Sequence, residues 1–255
     1  MRKETDNRSP STVFEGMTSI RAVLSRSGTN DRKIIRVLCD AARTDARRKD
    51  LSYLESAAGE NGFDIVMTDG DTLDRMTTGN THGGIIAECS ARTIPSLDEL
   101  KTTEKGFYVM LEGIEDPYNF GYAIRSVWAA GADGIILPGR NWMTAAGVVC
   151  RSSAGTSEMI DLFVTADGFE ACKFFKKQGY RIACAGIRDA VPMYDANLKK
   201  PIFLVVGGEK RGISRGVLDK ADSVVKIDYG RPFRGSLSAA SAATVLAYEV
   251  LRQNR

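Results

Sequence analysis

An amide, a flexible glycine and a guanidinium, those of Asn119, Gly121 and Arg125, follow a short apolar run in the sequence. The run, over residues 107–111, predicts a buried strand, so the three residues fall where a strand gives way to a helix. α/β enzymes keep their chemistry at such junctions. A guanidinium is effectively always protonated, and it can stabilise a developing oxyanion or clamp a phosphate. The segment therefore predicts an active site at the end of a strand.

The helix that follows is predicted to begin near Asn119, because Asp116, Pro117 and Asn119 itself are turn and N-cap residues. Its apolar residues recur at i, i+3, i+4 and i+7 and form a stripe that faces the core, made of Phe120, Ala123, Ile124 and Val127. Arg125 lies about 140° from Phe120 around the helix, at roughly 100° per residue. Arg125 is therefore free to face a pocket.

A second segment repeats this pattern of a buried strand followed by a special loop. The apolar run 201–206, which ends at Val206, predicts the strand, and Glu209 is the one acidic group in the loop. The glycines of this loop permit tight backbone turns, and they are Gly207, Gly208 and Gly212.

A third segment joins a predicted strand, 223–227, to the last helix of the sequence. The strand ends at Ile227, and the helix start is rich in serine, with the residues Ser236, Leu237, Ser238 and Ser241. The residues that follow are mostly alanine or apolar, so a helix that is buried on more than one side is predicted.

These segments resemble the three ordered motifs of the SpoU-type RNA 2′-O-ribose methyltransferases, members of the SPOUT superfamily. The motifs are Asn119-x-Gly121-x-x-x-Arg125, Gly207-x-Glu209-x-x-Gly212 and Ser236-Leu237-Ser238-x-x-Ser241-x-Ala243. The resemblance covers about residues 105–253, and residues 14–24 and 81–86 are more loosely similar to the substrate-binding domain that many of these enzymes carry. The sequence departs at Ser238, where the family usually has asparagine.

The resemblance implies S-adenosylmethionine as the cofactor, bound in a deep C-terminal trefoil knot of an obligate homodimer. It also implies that Arg125 assists the ribose hydroxyl, that Asn119 and Glu209 orient Arg125, and that Ser241 caps its helix and touches substrate or cofactor. Whether Arg125 acts as a base or as an electrostatic stabiliser stays open, and stabilisation is the physically easier role. The implied cofactor-binding residues are Gly121, Val206, Gly207, Gly208, Gly212, Ile227, Ser236, Leu237 and Ser238.

Loops that cradle phosphates are missing from the sequence. No Gly-x-Gly-x-x-Gly follows a predicted strand, and no Gly-x-x-x-x-Gly-Lys-[Ser/Thr] occurs. A cofactor without a phosphate group fits better, because apolar strand ends and glycine-rich loops can hold an adenine, a ribose and a sulfonium.

Periodicity predicts an α/β fold class with two domains. We expect a mobile tail over 1–10, a small α/β RNA substrate-binding domain over 11–92, a linker over 93–104 and a methyltransferase domain over 105–255. In the substrate-binding domain, helices are predicted over 13–26, 49–60 and 71–76, and strands over 34–39, 63–67 and 85–88. In the methyltransferase domain, a largely parallel sheet covered by helices is predicted from strands over 107–111, 134–137, 181–185, 202–206 and 223–227.

Candidate RNA contacts follow from the positions of basic residues. One loop after a strand carries Arg43, Arg47, Arg48 and Lys49, which form a phosphate clamp or, equally well, a solvated helix start. Arg231 and Arg234 lie beside aromatic residues able to stack on bases, just before the third motif. The single histidine, His82, precedes two glycines and is assigned to a turn or an RNA contact.

The composition, with 43% hydrophobic and 26% charged residues, is typical of a globular protein, and a net charge of +3 permits an RNA partner without requiring one. Five cysteines with no Cys-x-x-Cys pair indicate buried free thiols rather than a disulfide framework, and no metal site is predicted. The polar start of the sequence and the lack of an apolar run near the roughly 20 residues of a membrane span predict a cytoplasmic protein.

The sequence therefore predicts a methyltransferase that modifies a ribose 2′-OH in structured RNA, with ribosomal RNA favoured because the resemblance extends to the substrate-binding domain. Transfer RNA is the alternative substrate. A non-catalytic RNA-binding protein with a decayed cofactor site is the alternative of a different class, raised by Ser238 and opposed by the presence of Asn119, Arg125 and Glu209.

Overall fold

The computed structural model describes residues 12–26, 28–77, 82–114, 116–139, 145–208 and 210–255. The predicted tail, 1–10, and the predicted catalytic residue Glu209 lie outside the described residues. The described chain forms a mixed four-stranded sheet in its N-terminal part and a seven-stranded sheet in its C-terminal part.

The N-terminal sheet has the strand order β1-β4-β2-β3, with β2 and β3 parallel and the other pairs antiparallel. Its strands are β1 Thr12–Glu15, β2 Ile34–Asp40, β3 Asp64–Thr68 and β4 Ile85–Cys89. The helices of this part are α1 Gly16–Leu24, α2 Arg48–Asn61 and α3 Gly70–Met76. Three of these strands and two of these helices lie where the sequence predicts them.

The helix predicted over 13–26 is wrong at its start. Residues Thr12–Glu15 are the edge strand β1, which pairs antiparallel with β4, and the helix begins only at Gly16. The β-branched and aromatic residues of β1 suit a sheet, and the φ of +76° at Gly16 lets the chain turn from strand to helix.

The C-terminal sheet is parallel throughout its described strands, in the order β7-β6-β5-β10-β8-β11-β9. Its strands are β5 Phe107–Glu112, β6 Gly134–Pro138, β7 Asp161–Thr165, β8 Arg181–Ala185, β9 Val191–Pro192, β10 Ile202–Gly207 and β11 Ser223–Lys226. The helices are α4 Pro117–Ala129, α5 Ala146–Ser152, α6 Thr156–Met159, α7 Gly168–Lys177, α8 Arg215–Leu218 and α9 Ala239–Gln253. The five predicted strands are confirmed, while β7 and β9 were not predicted.

Helices cover both faces of this sheet, as predicted for a buried parallel sheet. On β5, Val109 faces a core that α4 and α9 complete, and the neighbouring Met110 faces a second core that α7 completes. The predicted apolar stripe of α4 is confirmed, because Phe120, Ala123, Ile124 and Val127 are all buried. The helix stripe that carries Arg125 is therefore left on the outside.

The segment between the two sheets is tied to the edge of the C-terminal sheet. The amide of Val164 in β7 donates to the carbonyl of Pro95 at 2.9 Å, and Leu97 is buried in the core beside α7. Ser96 and Glu99 form a reciprocal capping box around a single 3₁₀ turn. These contacts fix the approach of the chain to β5.

Among the described helices, none is long and apolar enough to cross a membrane.

Candidate active site

The first two motifs meet at the point where the connections of the C-terminal sheet reverse direction. From β5 the chain continues to β6 and β7 on one side, while β10 lies on the other side of β5. The two strands are parallel and in register, with Glu112 opposite Gly207. Ligands of open α/β sheets bind outside the carboxyl ends of the strands at such a switch point. The sheet therefore brings the two motif loops to one edge.

Close backbone contacts hold the loops together at this edge. A β-carbon on Gly208 would lie 1.9 Å from the carbonyl oxygen of Gly113, and one on Gly207 would lie 2.6 Å from the backbone of Gly212. The amide of Gly212 donates to the carbonyl of Gly208 at 3.0 Å and closes the second loop. Only glycine fits these positions, so the loops are positioned by their shape.

The carboxylate of Glu112 adds a side-chain contact between the same loops. It accepts a hydrogen bond from the amide of Ser214 at 3.4 Å. Glu112 was not predicted as a site residue, although its place at the end of a buried strand is a usable signal.

The helix that carries the first motif begins two residues earlier than predicted. Asp116 is the N-cap of α4, and its carboxylate accepts from the amides of Tyr118 and Asn119 at 3.3 and 3.1 Å. Pro117 occupies the first helical position, where a missing N–H costs nothing. Asn119 is thus a residue of the first turn rather than the cap. Its side-chain amide makes no hydrogen bond with the residues that the structure describes, so it is available to a ligand.

The two other residues of this motif have different surroundings. Arg125 is exposed and pairs with no carboxylate of the described chain. Gly121 is buried, and a β-carbon there would lie 1.9 Å from Ser152 Oγ on α5. The missing side chain of Gly121 therefore lets α4 pack closely on α5, and its predicted contact with the cofactor stays a prediction.

The third motif starts α9, and Ser238 is its N-cap. The hydroxyl of Ser238 accepts from the amide of Ser241 at 3.2 Å, and the two hydroxyls lie 3.0 Å apart. The sequence assigned the cap to Ser241, which instead lies in the first turn of α9 and is exposed. Serine and asparagine are equally good N-caps. The change from the family's usual asparagine to Ser238 therefore preserves the capping function.

Packing brings the first and third motifs side by side, since α4 lies against α9 across the sheet face that both helices cover. Seven of the fifteen residues of α9 are buried, including Ala243, Leu246 and Val250, whereas Ala242 is half-buried. The three motifs thus occupy one end of one face of the sheet.

An apolar cleft of about 650 Å³ opens between β11 and α9. Ile227, Tyr229, Phe233 and Leu237 line it, and the amide of Leu237 donates to the Tyr229 hydroxyl at 3.2 Å. The exposed rings of Tyr229 and Phe233 and the half-buried side chains of Ile227 and Leu237 suit an uncharged adenine ring. Asp228 and Arg231 add one charge of each sign to the lining. Of the predicted cofactor-binding residues, Ile227 and Leu237 line this cleft, and their apolar side chains suit the adenine of S-adenosylmethionine. Val206 is buried in the core, so it can reach a ligand through its backbone alone, and Ser236 is exposed beside the cleft.

The predicted phosphate clamp forms the start of α2. Arg43 and Arg47 pair with Asp40 and Asp50, whereas Arg48 and Lys49 are exposed in the first turn of the helix. The N-terminal end of a helix is already positive, so cations there cost stability. Asp50 in the same turn offsets part of this cost, and the choice between a phosphate clamp and a solvated helix start stays a prediction.

The other candidate RNA contacts divide into exposed and buried groups. Arg231 and Arg234 are exposed in the loop before the third motif. His82 is buried, with Nδ1 accepting from the amide of Gly84 at 3.0 Å and Nε2 lying 2.8 Å from Asp74 Oδ1. Both ring nitrogens of His82 are occupied within the turn, so the turn role accounts for its contacts.

Buried charges join the two halves of the chain at an interdomain seam, which consists of Asn30, Arg32, Arg92, Ser157 and Glu158. Arg32 and Glu158 are 1% and 2% exposed, and their Nε and Oε2 atoms are 2.9 Å apart. Asn30 donates to the same carboxylate oxygen at 2.8 Å.

Arg92 completes the seam by donating to the backbone carbonyls of Ser157 and Ile160 at 2.9 and 3.1 Å. Its burial lowers the pKa of the guanidinium, and Glu158 opposes that shift. The seam fixes α6 against the N-terminal part. None of its residues was predicted, because the partners lie more than 60 residues apart in sequence and follow no local pattern.

Comparison with known proteins extends the resemblance over nearly the whole chain. The model of the SpoU rRNA Methylase family matches residues 106–248, and a model described as RNA 2′-O ribose methyltransferase substrate binding matches residues 14–95. A 23S rRNA (guanosine-2′-O-)-methyltransferase, RlmB of Shewanella oneidensis, is 31% identical over 251 residues, which are 95% of this chain and 98% of that protein.

A second sequence relative and one solved structure are also similar to this chain. A putative TrmH family tRNA/rRNA methyltransferase of Bacillus subtilis, YacO, is 32% identical and covers 77% of this chain and 80% of its own length. The SpoU methyltransferase AviRb of Streptomyces viridochromogenes, solved in complex with AdoMet, has the same fold, with a TM-score of 0.77 at 20% identity over 99% of this chain and 94% of that one. Taken with the convergence of the three motifs at one sheet edge, these matches show that the chain belongs to the SpoU rRNA methylase family.

Proposed function

We propose that the RNA modified by this 2′-O-ribose methyltransferase is ribosomal RNA. The observation that supports this choice is the extent of the likeness to the 23S rRNA enzyme, which runs through the front part of the chain as well as the motifs. The front part would select the RNA, because it carries the cationic start of α2 and none of the three motifs. Transfer RNA is the alternative substrate of the same chemistry.

The reaction asks the protein to hold a ribose 2′-OH in line with a methyl group, to remove or share the hydroxyl proton and to exclude water. When bound, S-adenosylmethionine supplies that methyl group on a positively charged sulfur. The residues that would hold it are the glycines of the second motif and the loop from Ile227 to Ser238, with contacts from the backbone and from apolar side chains.

Arg125 would act on the substrate side. Its guanidinium is exposed, is joined to no carboxylate of the described residues and stays protonated, so it can stabilise the alkoxide that forms as the hydroxyl proton leaves. Asn119, six residues earlier on α4 and without a side-chain hydrogen bond to the described residues, would orient the ribose or Arg125. Ser241 presents its hydroxyl at the exposed start of the neighbouring helix. The role of Glu209 stays a prediction.

Mapping ribose methylation in ribosomal and transfer RNA from a deletion strain would test the choice of substrate. We expect one 2′-O-methyl group to disappear from 23S rRNA and to return with the wild-type gene but not with Arg125→Ala. Loss of a methyl group from a tRNA alone would contradict the proposal. Calorimetry with S-adenosylmethionine separates the enzyme from a decayed binding module, since the module would release no heat.

We also propose a homodimer formed through the outer faces of α4 and α9. Tyr118, Tyr122 and Trp128 on α4 and Tyr248 on α9 are exposed, although aromatic side chains of this size are usually buried. Light scattering at micromolar concentration should give twice the chain mass of 27.7 kDa. Tyr122→Glu should shift the mass towards the monomer, and a monomeric wild-type protein would rule out this interface. The trefoil knot and the cytoplasmic location stay predictions.

A further inference from the structure

A second cleft lies between the two halves of the chain, outside the three motifs. It measures about 390 Å³, within the roughly 300–1,000 Å³ typical of ligand pockets. The start of α1, Arg47 and the turn at His82 line it on the N-terminal side, and Arg151 and Ala154 line it on the C-terminal side. We call this the interdomain cleft. Arg47 belongs to the predicted phosphate clamp, whereas Arg151 was not predicted as a site residue.

Two guanidinium groups face this cleft from opposite sides, and each is only partly used. Arg151 donates from Nη1 to Glu15 at 2.7 Å, and Arg47 donates from Nη1 to Asp50 at 3.1 Å. Their side chains are 34% and 37% exposed. A guanidinium has five N–H donors, and the other donors of both arginines bind no residue that the structure describes. Both therefore keep hydrogen-bonding capacity for a ligand.

The remaining lining sets the charge and the walls of the cleft. Glu15 is the one carboxylate among the lining residues, so the two arginines leave a positive excess. The imidazole of His82 adds a wall and no free donor, since both of its nitrogens are occupied. Ala154 has a φ of +52°, a left-handed conformation that is strained for a residue with a side chain. The turn at Ala154 places the end of α5 against the start of α1.

The cleft lies between the cationic start of α2 and the start of α4. Arg47 directly precedes α2, whose first residues are Arg48 and Lys49. On the other side, Ser152 follows Arg151, and its hydroxyl lies 3.5 Å from the carbonyl of Pro117 at the first turn of α4. A strand of RNA that runs from the start of α2 to Asn119 would pass over the cleft.

We propose that the interdomain cleft binds one phosphodiester of the RNA strand that flanks the methylated nucleotide, held between Arg47 and Arg151. Two guanidinium groups are the usual partners of a phosphate, and contacts of this kind fix the register of a protein on its RNA without reading sequence. Glu15 competes with the phosphate for Arg151, which makes the contact exchangeable. The inference rests on the proposed RNA substrate. The cleft would set the distance between the RNA selected by the front part and the methyl transfer site.

Binding of deproteinised 23S rRNA over a range of potassium chloride concentrations tests this assignment, because a phosphate contact is independent of sequence. Arg151→Gln and Arg47→Gln should each reduce the slope of log affinity against log salt by about one unit. Affinity for S-adenosylmethionine should stay at the wild-type value. Because Arg151→Gln also removes the partner of Glu15, whose side chain is 10% exposed, the melting temperature is measured to show that each variant is folded at the assay temperature. Arg151→Lys keeps the charge and should keep the slope. Arg36→Gln is the matched control, since the side chain of Arg36 on β2 is 42% exposed, pairs with Glu88 on β4 and does not line the cleft.

Glu15→Gln separates a phosphate site from a merely structural ion pair. If Glu15 and Arg151 only join the two halves, the substitution leaves RNA affinity unchanged or lowers it. If the cleft holds a phosphate, removal of the competing carboxylate should tighten RNA binding at low salt by roughly five-fold, the scale of one charge at about 4 Å in water. If the wild-type protein methylates 23S rRNA but Arg47→Gln and Arg151→Gln both keep the wild-type slope, the cleft does not bind a phosphate and the proposed function stands. A wild-type protein that methylates tRNA alone would overturn the proposed substrate, while the slopes would still decide the cleft.

Discussion

The sheet edge that carries the three motifs and the interdomain seam are held together in opposite ways. At the sheet edge, backbone meets backbone, and Gly208 lies so close to Gly113 that no side chain fits between them. At the seam, charged side chains meet, and the ion pair of Arg32 and Glu158 is shielded from water. The edge therefore depends on shape, whereas the seam depends on charge. We expect the edge to tolerate changes of pH and salt but no added atom, and the seam to tolerate small changes of shape but no unpaired charge.

The largest effect is expected from Arg32→Met, which would leave the carboxylate of Glu158 buried without its partner. Breaking a buried ion pair in this way costs about 3–5 kcal/mol of the free energy of unfolding. Chemical denaturation would measure the loss. Arg36→Met, which removes the arginine of a partly exposed pair with Glu88, should cost less than Arg32→Met because water screens this pair. The double variant Arg32→Met with Glu158→Gln should recover part of the loss, and no recovery would show that shape rather than charge holds the seam.

Gly208→Ala tests the sheet edge. The added methyl group would overlap the carbonyl oxygen of Gly113, so the two motif loops must move apart. We expect methyl transfer to fall by more than about 100-fold and the free energy of unfolding to fall by roughly 1–3 kcal/mol. Assays of methyl transfer and thermal unfolding measure both. Gly216→Ala, where a β-carbon meets only Phe169 at 3.7 Å, is the control and should keep the wild-type activity.

Arg125→Ala tests the methyl-transfer step without moving the motif loops at the sheet edge. Because Arg125 is exposed and outside the core stripe of α4, its loss should leave the fold and the affinity for S-adenosylmethionine nearly intact. Methyl transfer should fall by at least about 100-fold, the scale of losing one group that stabilises developing charge. Lys177→Ala, on the opposite face of the sheet, should have no effect. Wild-type turnover by Arg125→Ala would remove Arg125 from the site.

A smaller effect is expected at Ser238, where the edge does use a side chain. Ser238→Ala removes the N-cap of α9 and should cost about 1 kcal/mol, or roughly 2–4 °C in melting temperature for a chain of this size. Ser238→Asn should match the wild type, because asparagine caps equally well. If Ser238→Asn instead improved the affinity for S-adenosylmethionine, the position would have a ligand contact beyond the cap.

The smallest effect is a pH dependence at the margin of the seam. A hydrogen bond from the Thr93 side chain lowers the pKa of the Asp31 carboxyl below its usual value, and the Thr93 amide, which donates to Asp31 Oδ1 at 2.8 Å, adds to the shift. The folded protein therefore binds this proton less readily than the unfolded chain. The stabilisation is complete above about pH 4 and is lost as the pH falls through the lowered pKa of Asp31. Because Asp31 is exposed, Asp31→Asn should remove less than about 1 kcal/mol at neutral pH and flatten the acid limb of the stability curve.

The edge was largely predictable from the sequence, whereas the seam was not. Continuous apolar runs such as 107–111 identify strands that are buried on both faces, and parallel strands bring their carboxyl ends to one edge. The convergence of Asn119 and Gly207 therefore follows from local patterns. The partners of the seam, Arg32 and Glu158, are 126 residues apart, and a single arginine in a loop looks solvated until its partner is known.

The helices and strands that were predicted wrongly or missed also depend on contacts that the local sequence does not show. Residues 13–15 were assigned to a helix because local periodicity allowed it, but they pair with β4 as part of β1. Ser238 rather than Ser241 caps α9, a difference of one turn that local composition does not resolve. β7 was not predicted because Asp161 interrupts its short apolar run, and the strand depends on its pairing with β6.

The helix α5 has a consequence for how this protein could recombine with its relatives. Ala146 and Cys150 belong to the same apolar cluster as Phe14 and Val23, although the chain passes through β5, α4 and β6 before it returns to that cluster. A chimaera built by exchanging residues 11–92 alone would set a foreign cluster against the native α5 and an unfamiliar partner against Glu158. A functional exchange would have to carry residues 145–160 with the front part. A chimaera that exchanges RNA specificity should therefore need all the segments that contact the front part, and one crossover in the gene should not be enough.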